Sequence, residues 1–273
     1  MLSDSNLRRA FVKNAVEFLK THGFDGLDLD IEYPGQRGAA ASDKENYSKL
    51  IEELRKAFES HGFLLSAAVP CTGSSADISY EVPKLNEYLD FINVMTYDIH
   101  GSYDGAVGHV APLYASSVDK SQSAKLLNVD ESIKAWIQRG TSPQKLNLGI
   151  PLYGRTFTLK DPKHVEIGAK ITGPGAAGPY TKEAGTLGYN EVVELQQKTK
   201  WTVVFDDEQK VPHAYHEDQW VGYDDPKSIK IKVAYAKSMN LGGIMVWSVE
   251  TDDFLGLSGT KNPLLTTINN ELH

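Results

Sequence analysis

The sequence predicts an α/β protein built as a barrel of parallel strands with helical crossovers, lacking part of its strand set and carrying an insert. Three observations predict it. Strand-like and helix-like segments alternate up to about residue 154 and again from about residue 224, as parallel sheets with helical crossovers require. The strands of this pattern have one aliphatic face and one face of small, polar and aromatic residues, which suits a helical layer outside and a barrel interior within. Between residues 155 and 223 the alternation gives way to Gly-, Pro- and Thr-rich sequence with hairpin signals.

The elements can be justified in order. Residues 4–22 repeat Leu7, Phe11, Ala15, Phe18 and Leu19 at helical spacing, and Gly23 supplies a stop. "FDGLDLDIE" follows as a strand. "KENYSKLIEELRKAFESHG" puts Tyr47, Leu50, Ile51, Leu54 and Phe58 on one helical face. "FLLSAAVP" reads as a strand, residues 83–88 as a short helix, and "FINVMTYD" as the next strand. "VDESIKAWIQRG" reads as a helix capped by Asp130 and ended by Gly140. "LNLGIPLYG" is then a strand. "WTVVF" and "PHAYH", joined by "DDEQKV", read as a hairpin, followed by "QWVGY". The helix "PKSIKIKVAYAKSMN", the strand "GGIMVWS" and a helix near "PLLTTINNEL" complete the chain.

Parity within the strands assigns their faces. Ile92 and Val94 oppose Asn93, Met95 and Tyr97; Leu148, Ile150 and Leu152 oppose Pro151 and Tyr153; Ile244 and Val246 oppose Gly243, Met245 and Trp247. The fold class is therefore the (β/α)8 TIM barrel, but only about five of the eight strands can be counted. The chain opens on a helix, so about three strand–helix units are expected to be absent from the N-terminal side. Residues 1–154 and 224–273 form the barrel part and 155–223 an insert. The two sheet edges left open would invite self-association.

Bulk composition narrows the function. The 273 residues are enough for one large domain or a domain with an insert. A net charge of −8 argues against nucleic acid or an anionic membrane as partner. No apolar run approaches the length of a membrane span, and the first residues lack the apolar stretch of a signal peptide. A single cysteine, Cys71, excludes an internal disulfide and a cysteine-rich metal site. Asn46-Tyr47-Ser48 matches a glycosylation sequon but falls within a predicted helix.

The stretch "GFDGLDLDIEYPG" holds Asp25, Asp28, Asp30 and Glu32 among apolar residues. Asp28, Asp30 and Glu32 have period-two spacing and share the inner face, while Leu27, Leu29 and Ile31 face the helices. The acids lie at the strand's C-terminal end, where barrel enzymes carry their chemistry. Cleavage of a glycoside needs a carboxylic acid to protonate the departing oxygen, and Glu32, the last acid before the strand end, fits that role. Asp30 beside it and partial burial would raise its pKa. Two other readings remain: a metal site, for which three acids on one strand and no His cluster are a poor cage, and a structural network of shared protons.

Here the chain resembles the family 18 chitinases, whose active-site motif is D-G-x-D-x-D-x-E. The blocks "FDGLDLDIEYPG", "LLSAAVP", "VMTYDIHGS", "LGIPLYGRTF", "GPYTKE", "QWVGYDD" and "LGGIMVWSVETDDF" follow in the family's order over nearly the whole chain. The resemblance implies that residues 155–223 form a small α+β insertion domain, and it implies a substrate-assisted retaining mechanism. Glu32 would protonate the glycosidic oxygen, and the substrate's N-acetyl carbonyl would attack C1. Asp30 would orient the acetamido N–H, Asp28 would share a proton with Asp30, and Tyr97 and Asp98 would position the acetamido group. Trp247 would form the floor under the sugar, with Met95 and Met245 beside it. Tyr33, Tyr153, Arg155 and Glu183 match cleft-lining positions, and Tyr103 stands where many relatives carry Trp. Chitin or chitooligosaccharides would be the partner, no metal or organic cofactor is required, and the expected location is extracellular. Ile31 replaces the Trp usual before the acid, and Val193 and Ser258 occupy or adjoin positions where some relatives have paired cysteines. The rival function is a non-catalytic chitin-binding lectin. Lectins of this family typically lack the acid at the Glu32 position, and this sequence keeps it. An inactive chitinase remnant is a third reading, because barrel strands are missing.

Overall fold

The computed structural model describes all 273 residues. The chain runs through α1 (Ser5–His22), β1 (Gly26–Leu29), α2 (Asp43–Glu59), β2 (Leu64–Pro70), α3 (Gly73–Ser79), α4 (Val82–Tyr88) and β3 (Phe91–Met95). It continues with α5 (Val129–Gln138), β4 (Leu146–Pro151), β5 (Tyr153–Leu159), β6 (Ile171–Pro174), β7 (Thr186–Gly188) and α6 (Tyr189–Lys198). The last elements are β8 (Thr202–Asp206), β9 (Val211–His216), β10 (Gln219–Gly222), α7 (Pro226–Ser238), β11 (Gly243–Trp247) and α8 (Pro263–Leu272). Five strands form one sheet in the order β1-β2-β3-β4-β11, so β1 and β11 are its edges. The pairs β1–β2, β2–β3 and β3–β4 are parallel. A second, antiparallel sheet has the order β6-β5-β10-β9-β8, with β7 on β5.

Two compact units are distinguished by contact density. The first comprises Met1–Met95, Ser132–Leu148 and Asn240–Gly243. Its core is the apolar stripe of α2, with Leu50, Ile51, Leu54 and Phe58 fully buried, together with Leu65, Ala67 and Val69 of β2 and Ile92 and Val94 of β3. Each of the larger side chains among these contributes roughly 1.5–3 kcal/mol of burial free energy. Trp136 of α5 is fully buried and donates its indole N–H to the Pro70 carbonyl at 2.9 Å. The amphipathic pattern of α2 thus predicts its buried face. For α1 it does so only partly: Val12 and Leu19 are covered, whereas Leu7 and Phe18 are 51% and 57% exposed, because the packing of this helix is chiefly on α2 and β1. Its ends follow expectation. Asp4 accepts the Asn6 and Leu7 amides, and Gly23 closes the helix at φ 69°, a left-handed conformation that glycine adopts without strain.

The second unit comprises Thr96–Glu131, Gly149–Met239 and Ile244–His273. Phe157, Leu159, Val107, Ala169 and Trp220 form one of its cores. The predicted hairpin is present as β8 and β9, paired from Thr202↔Tyr215 to Asp206↔Val211. The single strand expected over "LNLGIPLYG" is divided. It breaks after Pro151, and Tyr153 onward belongs to the antiparallel sheet.

One local expectation, the cap of α5, is corrected. The side chain that accepts the α5 first-turn amide of Glu131 is Asn128, at 2.9 Å, and Asp130 lies within the first turn instead, bonded to the Tyr235 hydroxyl at 3.0 Å. The helix α3 was not anticipated: "GSSADIS" has no apolar periodicity, and the cap Thr72 carries the signal, its hydroxyl accepting the Ser75 amide at 3.4 Å. The sequon residue Asn46 is buried within α2 at 8% exposure, which withholds its amide from a glycan. No helix is long and apolar enough to cross a membrane.

Candidate active site

In the first unit the acids cluster around the end of β1. The strand's last residue is Leu29, so Asp30, Ile31 and Glu32 lie just past it. Asp28, Asp30 and Glu32 all reach solvent. That departs from the burial expected inside a barrel, and the reason is topological: β1 is an edge strand, so its inner-face side chains have neighbours on one side only.

Asp28 is the anchored member. Its Oδ1 accepts the Ser66 hydroxyl at 2.6 Å and the Asn93 amide at 3.0 Å, and Asn93 Oδ1 in turn accepts the Asn147 amide at 3.0 Å. These side chains come from adjacent strands in register: Asp28 opposes Ser66, and Asn93 opposes Asn147. Ser66, Asn93 and Asn147 were not singled out as site residues. Their signal is a polar side chain inside an otherwise apolar strand.

Asp30 has its carboxyl pKa raised, first by partial burial, then by the charges of Glu32 and Asp28. Arg37 stands 3.4 Å from Glu32 Oε2 and lies over the Tyr33 ring, 5.1 Å from its centroid. The Tyr33 hydroxyl is pushed well above the usual phenol range by burial and by the neighbouring Glu32. Arg37, left-handed at φ 52°, has no signature in the sequence beyond its proximity to the motif. The Glu32–Tyr33 and Trp247–Ser248 peptide bonds are cis. Met95, half-buried at the end of β3, pairs with Pro70.

In the second unit a hydrogen-bonded group converges on Asp98. Its Oδ1 accepts both the Tyr153 hydroxyl and Arg155 Nε, each at 2.7 Å. Its main-chain oxygen accepts the Tyr103 hydroxyl at 2.6 Å. Asp98 has φ 54°, a left-handed conformation that Asp tolerates better than most residues. Tyr97 is buried, its ring lies edge-on to Tyr153 at 6.2 Å, and its hydroxyl meets Met245 Sδ at 3.7 Å. The Tyr153 hydroxyl is driven far above its ordinary pKa by burial and by Asp98, so it stays a donor. Arg155 gives its second arm, Nη1, to the Thr186 hydroxyl at 2.7 Å. Trp247, at the end of β11, is 57% exposed and Tyr103 is 68% exposed, so both present aromatic faces to solvent. Glu183 is exposed on the loop between β6 and β7. Of the predicted residues, Asp28, Asp30, Glu32 and Tyr33 thus form one group, and Tyr97, Asp98, Tyr103, Tyr153, Arg155 and Met245 another. Nowhere do three or more His, Cys, Asp or Glu side chains assemble in a way that could hold a metal ion.

Known proteins resemble this chain over its whole length. The family pattern described as "Glycosyl hydrolases family 18" matches residues 1–252. Mouse chitotriosidase-1 is 44% identical across the whole of this chain, which spans 60% of that relative's length. The group IV chitinase of Ostrinia furnacalis, solved in complex with allosamidin, superposes with a TM-score of 0.97 at 43% identity, covering 100% of this chain and 74% of that one. Human YKL-39, described as a pseudo-chitinase with retained chitooligosaccharide binding properties, superposes with a TM-score of 0.93 at 37% identity, covering 100% of this chain and 75% of that one. With its D-G-x-D-x-D-x-E acids at the end of a parallel strand, and the family pattern running through both units, the chain belongs to glycosyl hydrolase family 18 and has a fold of the TIM-barrel type.

Proposed function

We propose that this chain hydrolyses β-1,4-linked N-acetylglucosamine polymers by a substrate-assisted, retaining mechanism. The observation that carries the proposal is the acid set itself: Glu32 retained past the strand end, Asp30 beside it with a raised pKa, and Asp28 locked by Ser66 and Asn93. In the first half-reaction the Glu32 carboxyl proton passes to the glycosidic oxygen. The C1–oxygen bond breaks as the acetamido carbonyl oxygen bonds to C1 from the opposite face, giving an oxazolinium ion. Asp30 accepts a hydrogen bond from the acetamido N–H, which aims the carbonyl oxygen and stabilises the positive charge. In the second half-reaction Glu32, now a carboxylate, takes a proton from water. The oxygen of that water attacks C1, opens the ring and restores the original configuration.

The Tyr97, Asp98, Tyr153 and Arg155 group supplies fixed donors and acceptors for the sugar's polar rim. Trp247 supplies a stacking face for the apolar C–H surface of the ring, and Met95 and Met245 supply soft apolar contacts. Tyr33, Tyr103 and Glu183 are assigned to neighbouring sugars. No cofactor takes part. An extracellular location follows from the same reading, since the polymer lies outside cells.

The test is turnover of a fluorogenic N-acetylglucosamine oligomer by the wild type and by Glu32→Gln. The amide keeps the shape but has no proton to give, so turnover should fall at least a hundredfold while oligosaccharide affinity stays within about twofold. A variant keeping a tenth of the rate would remove Glu32 from the acid role. A second reading, binding without hydrolysis, is favoured by the likeness to YKL-39. It predicts oligosaccharide affinity with no turnover in the wild type.

A further inference from the structure

We propose that Glu191 is a positioning residue for the sugar-binding group around Asp98, acting through the loop of residues 178–188. The inference rests on the reading that Asp98, Tyr153 and Arg155 bind sugar. Glu191 lies in the first turn of α6 and is fully buried. A buried carboxylate must find compensating donors, and this one has four. They are the Tyr180 amide at 2.6 Å, the Thr181 amide and the Thr181 hydroxyl both at 2.9 Å, and the Gly188 amide at 2.8 Å. Charge assists each of these bonds.

The Gly188 bond is an ordinary helix-start interaction, three residues away. The other three are different. They reach ten and eleven residues back and wrap the "GPYTKE" segment around the carboxylate as a nest of amides. Gly178 is required by that wrapping, because a Cβ there would lie 2.3 Å from Glu191 Oε1. The motif therefore reads as the backbone that encloses Glu191.

The far end of the same loop carries the consequence. Thr186 pairs with Arg155 across β5 and β7 and holds Arg155 Nη1 through its hydroxyl at 2.7 Å. The other arm of that guanidinium holds Asp98 Oδ1 at 2.7 Å, the oxygen that also takes the Tyr153 hydroxyl. The Thr181 hydroxyl, besides donating to Glu191, lies 3.3 Å from the Thr186 carbonyl. Glu191 thus fixes Thr181, Thr181 and the loop fix Thr186, and Thr186 sets one arm of the Arg155 fork. Without the carboxylate, three amides and a hydroxyl lose their acceptor, the loop must rearrange, and Arg155 turns on Asp98. Glu32 takes no part in this chain of contacts, and the loss is read in sugar affinity.

The test compares the wild type with Glu191→Gln, Thr186→Val and the double variant. Glu191→Gln keeps the volume but puts an NH2 group against N–H donors. One readout is the NMR resonance of the Arg155 side-chain Nε–H; the other is the Kd for the tetramer of N-acetylglucosamine by calorimetry. Each single variant should shift the Arg155 resonance and weaken the Kd about tenfold, and the double variant should be no weaker than the worse single one, as expected for residues acting in one chain. Multiplying effects, or an unmoved Arg155 resonance, would overturn the inference. If the wild type binds no tetramer, the sugar-binding reading fails, and the resonance alone decides whether Glu191 positions Arg155. Should Glu191→Gln not fold, Thr181→Val removes one leg of the nest and must move the same resonance; if it does not, the inference is lost.

Discussion

The most quantitative prediction concerns the ion pair beneath α7. Lys232 Nζ lies 2.6 Å from Asp224 Oδ2, and both side chains are fully buried. Burial pushes the Lys232 ammonium below its ordinary pKa while Asp224 pulls against that. Ser228 adds a neutral donor to Asp224 Oδ1 at 2.7 Å. Lys232→Met removes the ammonium and leaves a buried carboxylate with the serine hydroxyl, which cannot replace a cation. Breaking such a pair on one side costs about 3–5 kcal/mol. At about 2–4 °C of melting temperature per kcal/mol for a chain of this size, Tm should drop by about 6–20 °C. The double variant Asp224→Leu/Lys232→Met removes both charges and should recover most of the loss, since apolar replacement of a buried pair ranges from neutral to about 4 kcal/mol stabilising. Urea unfolding followed by tryptophan fluorescence and by circular dichroism measures all three proteins. A Lys232→Met variant within about 1 kcal/mol of wild type, or a double variant no better than the single one, would refute the reasoning, because either means the carboxylate is not trapped in a dry site.

Three further outcomes are expected. Asp30 has a raised folded-state pKa, so its contribution to stability is fully present below its ordinary value and lost as pH rises through the raised one. Asp30→Asn should accordingly melt higher than wild type at pH 7, with the gap closing toward pH 3, while turnover falls; an equal gap at both pH values would contradict this. His213, stacked on Trp220 at 4.9 Å, has its pKa lowered to about 4 by burial and then by His109. Its contribution is present above about pH 6.5 and lost as pH falls toward 4, up to about 3 kcal/mol in all. His213→Phe should flatten that part of the stability–pH curve, which urea titrations at pH 7 and pH 4.5 would check. Finally, β1 and β11 are sheet edges with backbone groups available for pairing. Sedimentation should show concentration-dependent association, reduced by a proline placed in β1; a monomer at every concentration would exclude it.

Much of the fold could be read from the sequence because α2 buries an apolar stripe at helical spacing, while β2 and β3 are short apolar runs buried over most of their length. The parity argument also put Asp28, Asn93 and Met95 on a common face, and Asp28 and Asn93 are indeed hydrogen-bonded. What parity could not supply was register. That Ser66 stands opposite Asp28, and Asn147 opposite Asn93, depends on how strands pair. Exposure was equally hidden: an acid between leucines reads as buried, yet Asp28 reaches solvent because β1 is an edge. Arg37 and Thr186 were illegible for another reason. Both act from loops or short strands whose course is set by tertiary contacts. Glu191 carried no sequence signal, and only the returning loop makes it a buried anchor.

The anchoring of Asp28 and the looser setting of Glu32 have a bearing on descent. Asp28 is tied to side chains on two neighbouring strands, so replacing it would disturb β1, β2 and β3 together. Glu32 lies past the end of β1, open to solvent and beside an exposed arginine. Exchanging it would leave the sheet and the Asp98 group intact. On the proposed function, a lineage with this architecture can lose its chemistry in a single substitution and keep its grip on sugar, without passing through an unstable ancestor. The reverse route, restoring a catalyst from a binder, is just as short, provided the Asp28 network has been kept.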